Sequence, residues 1–266
     1  MRSDFKLGIV TPTLNSALTI RRTIESVLEQ DFDDLDYLII DGGSTDRTLE
    51  ILNDYKGLLR IISEKDKGIY YAMNKGVNQS LGNVIGIINS DDWYLPGSFI
   101  EVRETYKRTN ADIIYSNTQV QDLQGKLGIS EHFHEQLPLR MIGHPAVFVT
   151  RSSYELLGGF NVSYKIASDY DLLLKAYING LKFVKTQEPL AAYALGGFSD
   201  KPENRIKSIH EVEIIKITNL NTSRFAGLRT FIKKSVKTIY LRDDKLKMTL
   251  ALFQLTNKFL RNAPTP

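Results

Sequence analysis

The chain has 266 residues, enough to bury one sizeable core with a small appendage. It is 42% hydrophobic and 24% charged, the balance of an ordinary globular domain, and it has no cysteine, which excludes disulfides and thiolate metal sites. The net charge of +3 is unevenly spread: residues 1–200 carry 20 Lys/Arg against 26 Asp/Glu, and residues 201–266 carry 14 against 5. An acidic body with a basic end is expected to meet an anionic surface through that end. Met1 to Lys6 lacks the apolar stretch of a signal peptide, and no run approaches the length of a membrane-spanning helix. The expected location is therefore cytoplasmic.

The first ninety residues repeat one pattern. Leu7-Gly8-Ile9-Val10 reads as a buried strand stopped by proline at Thr11-Pro12-Thr13, and Asn15 or Ser16 is placed to cap a helix with Ile20, Ile24, Val27 and Leu28 inward. Tyr37-Leu38-Ile39-Ile40 is a second strand ending at Asp41-Gly42-Gly43, with a helix from about Thr45 that turns Leu49 and Leu52 inward. Arg60-Ile61-Ile62-Ser63 is a third, ending in Glu64 to Gly68. Helical spacing returns at Ile69, Ala72, Met73, Gly76 and Val77. The fourth strand, Val84 to Ile88, ends at Asn89-Ser90-Asp91-Asp92. Apolar strands alternating with helices predict an α/β fold with a mostly parallel sheet covered on both faces. Ligands of such sheets bind beyond the C-terminal strand ends, where these acidic and glycine-rich segments fall.

Beyond residue 95 a helix is expected from Pro96 to Arg108, then strands at 113–115 and 118–120 and a turn around Asp122 and Gly125. An irregular segment over 131–145 precedes a strand at 146–149 and a helix ending at Gly158-Gly159. A further helix spans Asp169 to Tyr177, and short strands lie at 182–185 and 190–194. A boundary near residue 200 divides a body of 1–200, with halves at about 1–95 and 96–200, from a helical basic extension over 201–266.

Asp91 and Asp92 carry the strongest chemical signal. Two adjacent acids past a buried strand suit a hard dication such as Mn²⁺ or Mg²⁺, which takes carboxylate and diphosphate oxygens and keeps some water. An acidic turn before the next helix is the bland alternative, and three similar strand ends beside it favour the functional one. The Asp41 to Asp46 turn has neither the dinucleotide glycine fingerprint nor a P-loop lysine.

Thr11-Pro12-Thr13-Leu14-Asn15, Asp41 to Asp46, Asp66-Lys67-Gly68-Ile69-Tyr70 with Ala72 to Gly76, and Asn89-Ser90-Asp91-Asp92 together resemble the family 2 glycosyltransferases. Gly158-Gly159-Phe160 and Ser168-Asp169-Tyr170-Asp171-Leu172 extend the resemblance over roughly residues 5–195, in the expected order. Each motif is weak alone and the ordered set is specific. The resemblance implies a Rossmann-like GT-A fold, a nucleotide-diphosphate-sugar donor, a divalent metal and inversion at the anomeric carbon. It places Thr11, Pro12, Thr13, Asn15, Asp41, Gly43, Asp66, Lys67, Gly68, Asn74 and Asp91 at the nucleotide sugar. It makes Asp92, with Asp91, the metal ligand, and Asp169 the general base. Asp171 is the rival base, and helical geometry separates the two by about 200°, so only one can face the site.

His144 resembles a histidine on the acceptor side and is a candidate contact for acceptor or phosphate. Trp93 and Tyr94 offer aromatic faces for a sugar or base, with core packing as the competing reading. His132 and His134 read as surface residues. The sequence departs from the family pattern at Gly42, at Tyr71 and at Ser168, where relatives often carry acids.

Residues 224–261 hold ten Lys/Arg and two acids, with Phe225, Leu228, Ile232, Val236 and Ile239 at helical spacing. This pattern suits an anionic membrane surface, with packing on the body as the alternative. By resemblance the acceptor is a glycan or lipid-linked glycan in surface-polysaccharide assembly, at the inner face of the cytoplasmic membrane. Nucleic acid is not expected as a partner, because the body is acidic and no recognition motif occurs. Two other functions compete. A sugar nucleotidyltransferase would need a glycine-rich loop where Thr11-Pro12-Thr13 stands, and Tyr71 and Ser168 leave room for a catalytically degenerate relative.

Overall fold

The computed structural model describes residues 5–220. In chain order the elements are β1 (Leu7–Thr13), α1 (Ile20–Leu28), β2 (Leu35–Asp41), α2 (Thr48–Asn53), β3 (Arg60–Ser63), α3 (Ile69–Gln79) and β4 (Val84–Ile87). There follow β5 (Trp93–Tyr94), α4 (Ser98–Thr109), β6 (Ile113–Tyr115), β7 (Thr118–Gln121), β8 (Leu127–Ser130) and β9 (Val147–Thr150). The last are α5 (Arg151–Leu157), α6 (Ser168–Ile178), β10 (Phe183–Lys185), β11 (Ala191–Ala194) and α7 (Pro202–Asn219). Residues 221–266, and with them the basic stretch at 224–261, lie outside the described residues.

Seven strands form the main sheet in the order β10-β6-β9-β4-β1-β2-β3. Six are parallel, and β9 runs antiparallel to both β4 and β6. The α/β fold with a mostly parallel sheet is thus the expected one. Neighbouring strand residues face opposite sides of the sheet. Ile9 and Ile39 join α1, α2 and α4 in one buried cluster, while Val10, Leu38 and Ile40 join α3 and α6 in the other. Burying each such aliphatic side chain contributes roughly 1.5–3 kcal/mol.

In a second sheet, β5-β11-β7-β8, the strands β7 and β11 fall where strands are expected, whereas β5 and β8 do not. Its edge strand β8 is mostly exposed and lacks an inward apolar face, which is why periodicity misses it.

Several boundaries differ from expectation for local reasons. β1 continues through Pro12 instead of stopping there. The carbonyl of Thr13 accepts from Gly42 on the β2 side and that of Val10 accepts from Ile88 on the β4 side. Residue 12 therefore turns its amide position toward β4, which has already ended at Ile87, and no ladder bond is lost. Helix α1 begins only at Ile20, and α2 only at Thr48, because the residues expected to cap them are bonded to each other across two loops, as described below. Leu49 and Ile69 are exposed, whereas Leu52 is buried as expected. Helix α4 begins at Ser98, with Pro96 two residues ahead of it. Beyond residue 200, α7 packs against α6, and its Ile215 and the following Leu220 belong to the core.

Helix α3 lies so close to β1 that a Cβ on Gly76 would fall 2.2 Å from Val10 Cγ1. Val10 is buried and stiff at χ1, so it cannot yield cheaply. Gly76→Ala should therefore destabilise by roughly 1–3 kcal/mol, although alanine is the better helix former. Urea denaturation checks this, and an unchanged or raised midpoint would refute the close contact.

Candidate functional site

The C-terminal ends of β1, β2, β3 and β4 open on one rim, and their loops are tied to each other. Asn15, at φ +52°, points its Oδ1 at the amides of Thr45 (2.8 Å) and Asp46 (3.4 Å), while its own amide donates to Ser44 Oγ. Ser44 Oγ donates in turn to Asp41 Oδ1 at 2.5 Å. Asp41 also accepts from the amides of Gly43 and Ser44 and from Ser63 Oγ on β3. Ser16 Oγ meets Ser90 Oγ at 2.7 Å, joining the β1 loop to the β4 loop. Gly43 turns the chain at φ +88°, a backbone conformation that favours glycine.

This network involves several of the expected residues. Asp41 is fully buried, and both its oxygens already accept hydrogen bonds, so it shapes the loop. The side chain of Asn15 organises the neighbouring loop for the same reason. Thr11 is buried with its hydroxyl 3.1 Å from Tyr37 Oη. Asn74 grips the backbone of Phe160 with both ends of its amide, each at 2.8 Å, and so ties α3 to the turn at Gly158-Gly159. Lys67 is exposed, and Gly68 starts α3 at φ +143°.

Other expected residues keep free capacity. Asp66 is held through Oδ1 by Lys75 at 2.5 Å, while its Oδ2 is buried without a partner. Thr13 Oγ1, Asn89 Oδ1, His144 Nε2 and Ser168 Oγ are likewise buried and unpartnered. Unsatisfied buried polar atoms are uncommon in a native interior; Thr13, Asp66 and Asn89 lie at or just past the C-terminal ends of β1, β3 and β4, and Tyr94 Oη in the core is a further such atom.

His144 reaches the rim because β9 runs antiparallel: its N-terminal end lies where the other strands finish. There His144 Nδ1 is 3.3 Å from Asp169 Oδ2, and Tyr70 Oη donates to Asp169 Oδ1 at 3.2 Å. Asp171 points elsewhere, bonded to Lys175 at 2.6 Å and to Asn219 of α7 at 2.9 Å. Of the two candidate bases, Asp169 is the one beside His144. Trp93 is covered by Arg22, whose guanidinium carbon lies 3.8 Å from the ring centroid. Arg22 also donates to the Asp91 carbonyl at 2.6 Å. Tyr94 is a core residue stacked on Phe148. Arg22 and Tyr70 are the contacts that sequence reading missed, since nothing in a lone helical Arg or Tyr marks its partner across the fold.

The electrostatics follow from this crowding. Burial, then the neighbouring Asp91, push the Asp92 carboxyl up to about 7, against the opposing pull of His144, Arg22 and an Asn89 hydrogen bond. Burial would lower His144, but its bond to Asp169 and the fields of Asp169, Asp92 and Asp91 more than offset this and leave it raised. His132, expected at the surface, is buried, with Nε2 2.8 Å from Thr118 Oγ1, and burial with nearby Arg140 and Lys185 lowers it to about 4. His134 stacks on Phe183, its ring centroid at 5.1 Å, and meets Tyr115 Oη.

A carboxyl whose pKa is higher in the folded than in the unfolded state binds the extra proton when folded, so its contribution to stability falls as pH rises between the two values. For Asp92 that window runs from its ordinary value of 3.8 to about 7. In chelator-treated protein, the melting temperature of wild type relative to Asp92→Asn should therefore fall as pH rises from about 4 to about 7. A difference that stays constant across this range would contradict the crowding of Asp92.

The family described as Glycosyl transferase family 2 matches residues 8–151. The PGL/p-HBAD biosynthesis glycosyltransferase of Mycobacterium bovis (strain BCG / Pasteur 1173P2) is 28% identical over 178 residues, covering 65% of this chain and 70% of that protein. The chondroitin synthase of Escherichia coli is 35% identical over 179 residues, covering 64% of this chain but only 26% of the synthase. Among solved structures, S. aureus TarS 1-349 in complex with UDP-GlcNAc superposes with a TM-score of 0.70 at 17% identity, covering 98% of this chain and 82% of that one. The mannosyltransferase PcManGT from Pyrobaculum calidifontis, in complex with GDP-Man and Mn2+, gives 0.67 at 15% identity, covering 98% and 76%. At such identities the structural likeness speaks to the fold, which is that of the GT-A glycosyltransferases. The match over more than half of the chain, on a sheet of this topology, makes it a member of glycosyltransferase family 2.

Proposed function

We propose that the chain moves a sugar from a nucleotide-diphosphate-sugar donor to a hydroxyl of a glycan acceptor, with inversion at the anomeric carbon. The observation that carries this reading is the meeting, at one rim, of an acidic pair and an oriented carboxylate: His144 is bonded to Asp169 and lies in the fields of Asp91 and Asp92. The unpartnered atoms of Thr13, Asp66 and Asn89 supply the donor side.

Asp92 and Asp91 suit Mn²⁺ or Mg²⁺. A buried carboxylate, Asp92, beside a half-buried one, Asp91, would be relieved by a dication that also takes diphosphate and water oxygens. No three His, Cys, Asp or Glu side chains among the described residues converge into a metal site of their own. When bound, the cation neutralises charge on the leaving diphosphate. The Mn2+ and GDP-Man of the mannosyltransferase complex, and the UDP-GlcNAc of the TarS complex, support this assignment.

The chain's own residues then do the following. Asp169 accepts the proton of the attacking hydroxyl. Tyr70 and His144 each occupy one of its oxygens, which fixes the carboxylate plane while leaving a lone pair on each oxygen. His144 Nε2, with no protein partner, donates to a phosphate or the acceptor. Trp93 under Arg22 forms part of the wall beside the acidic pair.

A chondroitin synthase among the relatives supports a glycan acceptor in surface-polysaccharide assembly. No helix among the described residues is long and apolar enough to cross a membrane. In this reading the basic segment 224–261 meets an anionic membrane face that carries a lipid-linked acceptor.

Asp169→Asn should lower turnover by roughly 10²–10⁴-fold, the usual worth of a general base, with donor affinity changed by no more than about twofold. Nucleoside diphosphate release gives the rate and donor titration gives the affinity. Near-normal turnover with intact donor binding would sink the assignment.

A further inference from the structure

Helix α7 lies beyond residues 8–151 of the family match and beyond the boundary expected near residue 200, yet it grips the segment that delivers Asp169. The carboxylate of Glu211 accepts from three successive backbone amides: Lys165 at 2.7 Å on Oε1, and Ile166 at 2.8 Å and Ala167 at 2.9 Å on Oε2. Ala167 is the N-cap residue of α6, and no side chain of α6's own approach caps it. Asp169 is the second residue of that helix.

Residues 211, 215 and 219 fall four apart, on one face of α7. Ile215 is buried in the shared core, and Asn219 donates to Asp171 of α6 at 2.9 Å. Helix α7 thus holds the start of α6 at two points with a buried contact between them. A charged acceptor binding several amides ahead of a helix N-terminus is strong, because the amide dipoles there favour negative charge.

We propose that Glu211 is a positioning residue for catalysis: by fixing residues 165–167 it sets where the Asp169 carboxylate stands relative to His144 and to the attacking hydroxyl. This rests on Asp169 acting as the base. Removing Glu211 leaves three amides without their acceptor and frees the start of α6 to shift. A displacement of the order of 1 Å at a reacting group can cost about 10²-fold in rate.

The test uses the full chain with Mn²⁺ and UDP-GlcNAc, or GDP-Man if that is the donor bound. Donor titration gives the affinity and the fraction of competent sites, and nucleoside diphosphate release is expressed per competent site, so that partial misfolding does not register as lost turnover. Glu211→Ala should lower turnover per site by about 10–100-fold while donor affinity changes by less than about threefold. Glu211→Gln, which keeps one carbonyl acceptor, should recover part of the loss. If Glu211→Ala does not fold, Glu211→Gln decides: a several-fold loss at unchanged donor affinity supports the proposal, and wild-type turnover overturns it. Turnover of Glu211→Ala within about threefold of wild type, or donor affinity falling in step with turnover, also overturns it. Asp169→Asn, measured alongside, keeps the two readings apart. Its near-normal turnover would remove the base assignment whatever Glu211 does, whereas its inactivity beside an active Glu211→Ala would refute only the positioning role.

Discussion

The acidic turn past β4 buries Asp92 and sets half-buried Asp91 beside it, and the charges around that pair define the site. Burial and Asp91 together push the Asp92 carboxyl up to about 7, while His144 and Arg22 supply the positive field that the protein itself can offer. Arg22 does so while stacked on Trp93 and bonded to the Asp91 backbone, so the same contact that eases the charge also fixes the acidic turn. A hard dication with its diphosphate would relieve the remainder, which would couple metal binding to donor binding.

Holding that turn in place is the task of loops that have no regular structure to support them. Each loop leaving β1, β2 and β4 borrows its shape from a neighbour, through Asn15, Ser44, Asp41, Ser16 and Ser90. Buried polar groups of this kind are costly when half satisfied and rigid when fully satisfied. The Asp41 carboxylate is of the second sort, and the unpartnered Asp66 and Asn89 oxygens a short distance along the same rim are of the first. The rim is thus divided between residues whose polar groups are spent on the loops and residues with buried oxygens left unpartnered.

Much of the fold was legible because its strands are apolar runs buried on both faces, and the 3.6-residue pattern between them gives α1 and α3 directly. The order of motifs from Thr11 to Asp92 also led to the right family. What the pattern does not carry is direction and partnership. Nothing in Val147 to Thr150 says that β9 runs antiparallel, although that reversal is what delivers His144 to Asp169. The exposed strand β8 has no apolar face to read. The resemblance puts Asn15, Asp41 and Asn74 at the nucleotide sugar, and their bonds to neighbouring loops and to the Phe160 backbone leave no mark in the sequence, where a polar residue bonded to backbone and one bonded to ligand look alike. What turns Asp171 away from His144 is its bonding to Lys175 and Asn219, the latter 48 residues further along the chain.

The most direct test of the account is thermal stabilisation of the full chain by UDP-, GDP- and dTDP-linked sugars, with and without Mn²⁺, in wild type and Asp92→Ala. A ligand that binds only the folded state stabilises it by about 2.7 kcal/mol at a hundred times its dissociation constant. The account predicts stabilisation by sugars of one nucleotide class, dependent on Mn²⁺ and lost in Asp92→Ala. Folded protein that gains nothing from any donor, or gains equally without metal and without Asp92, would contradict it.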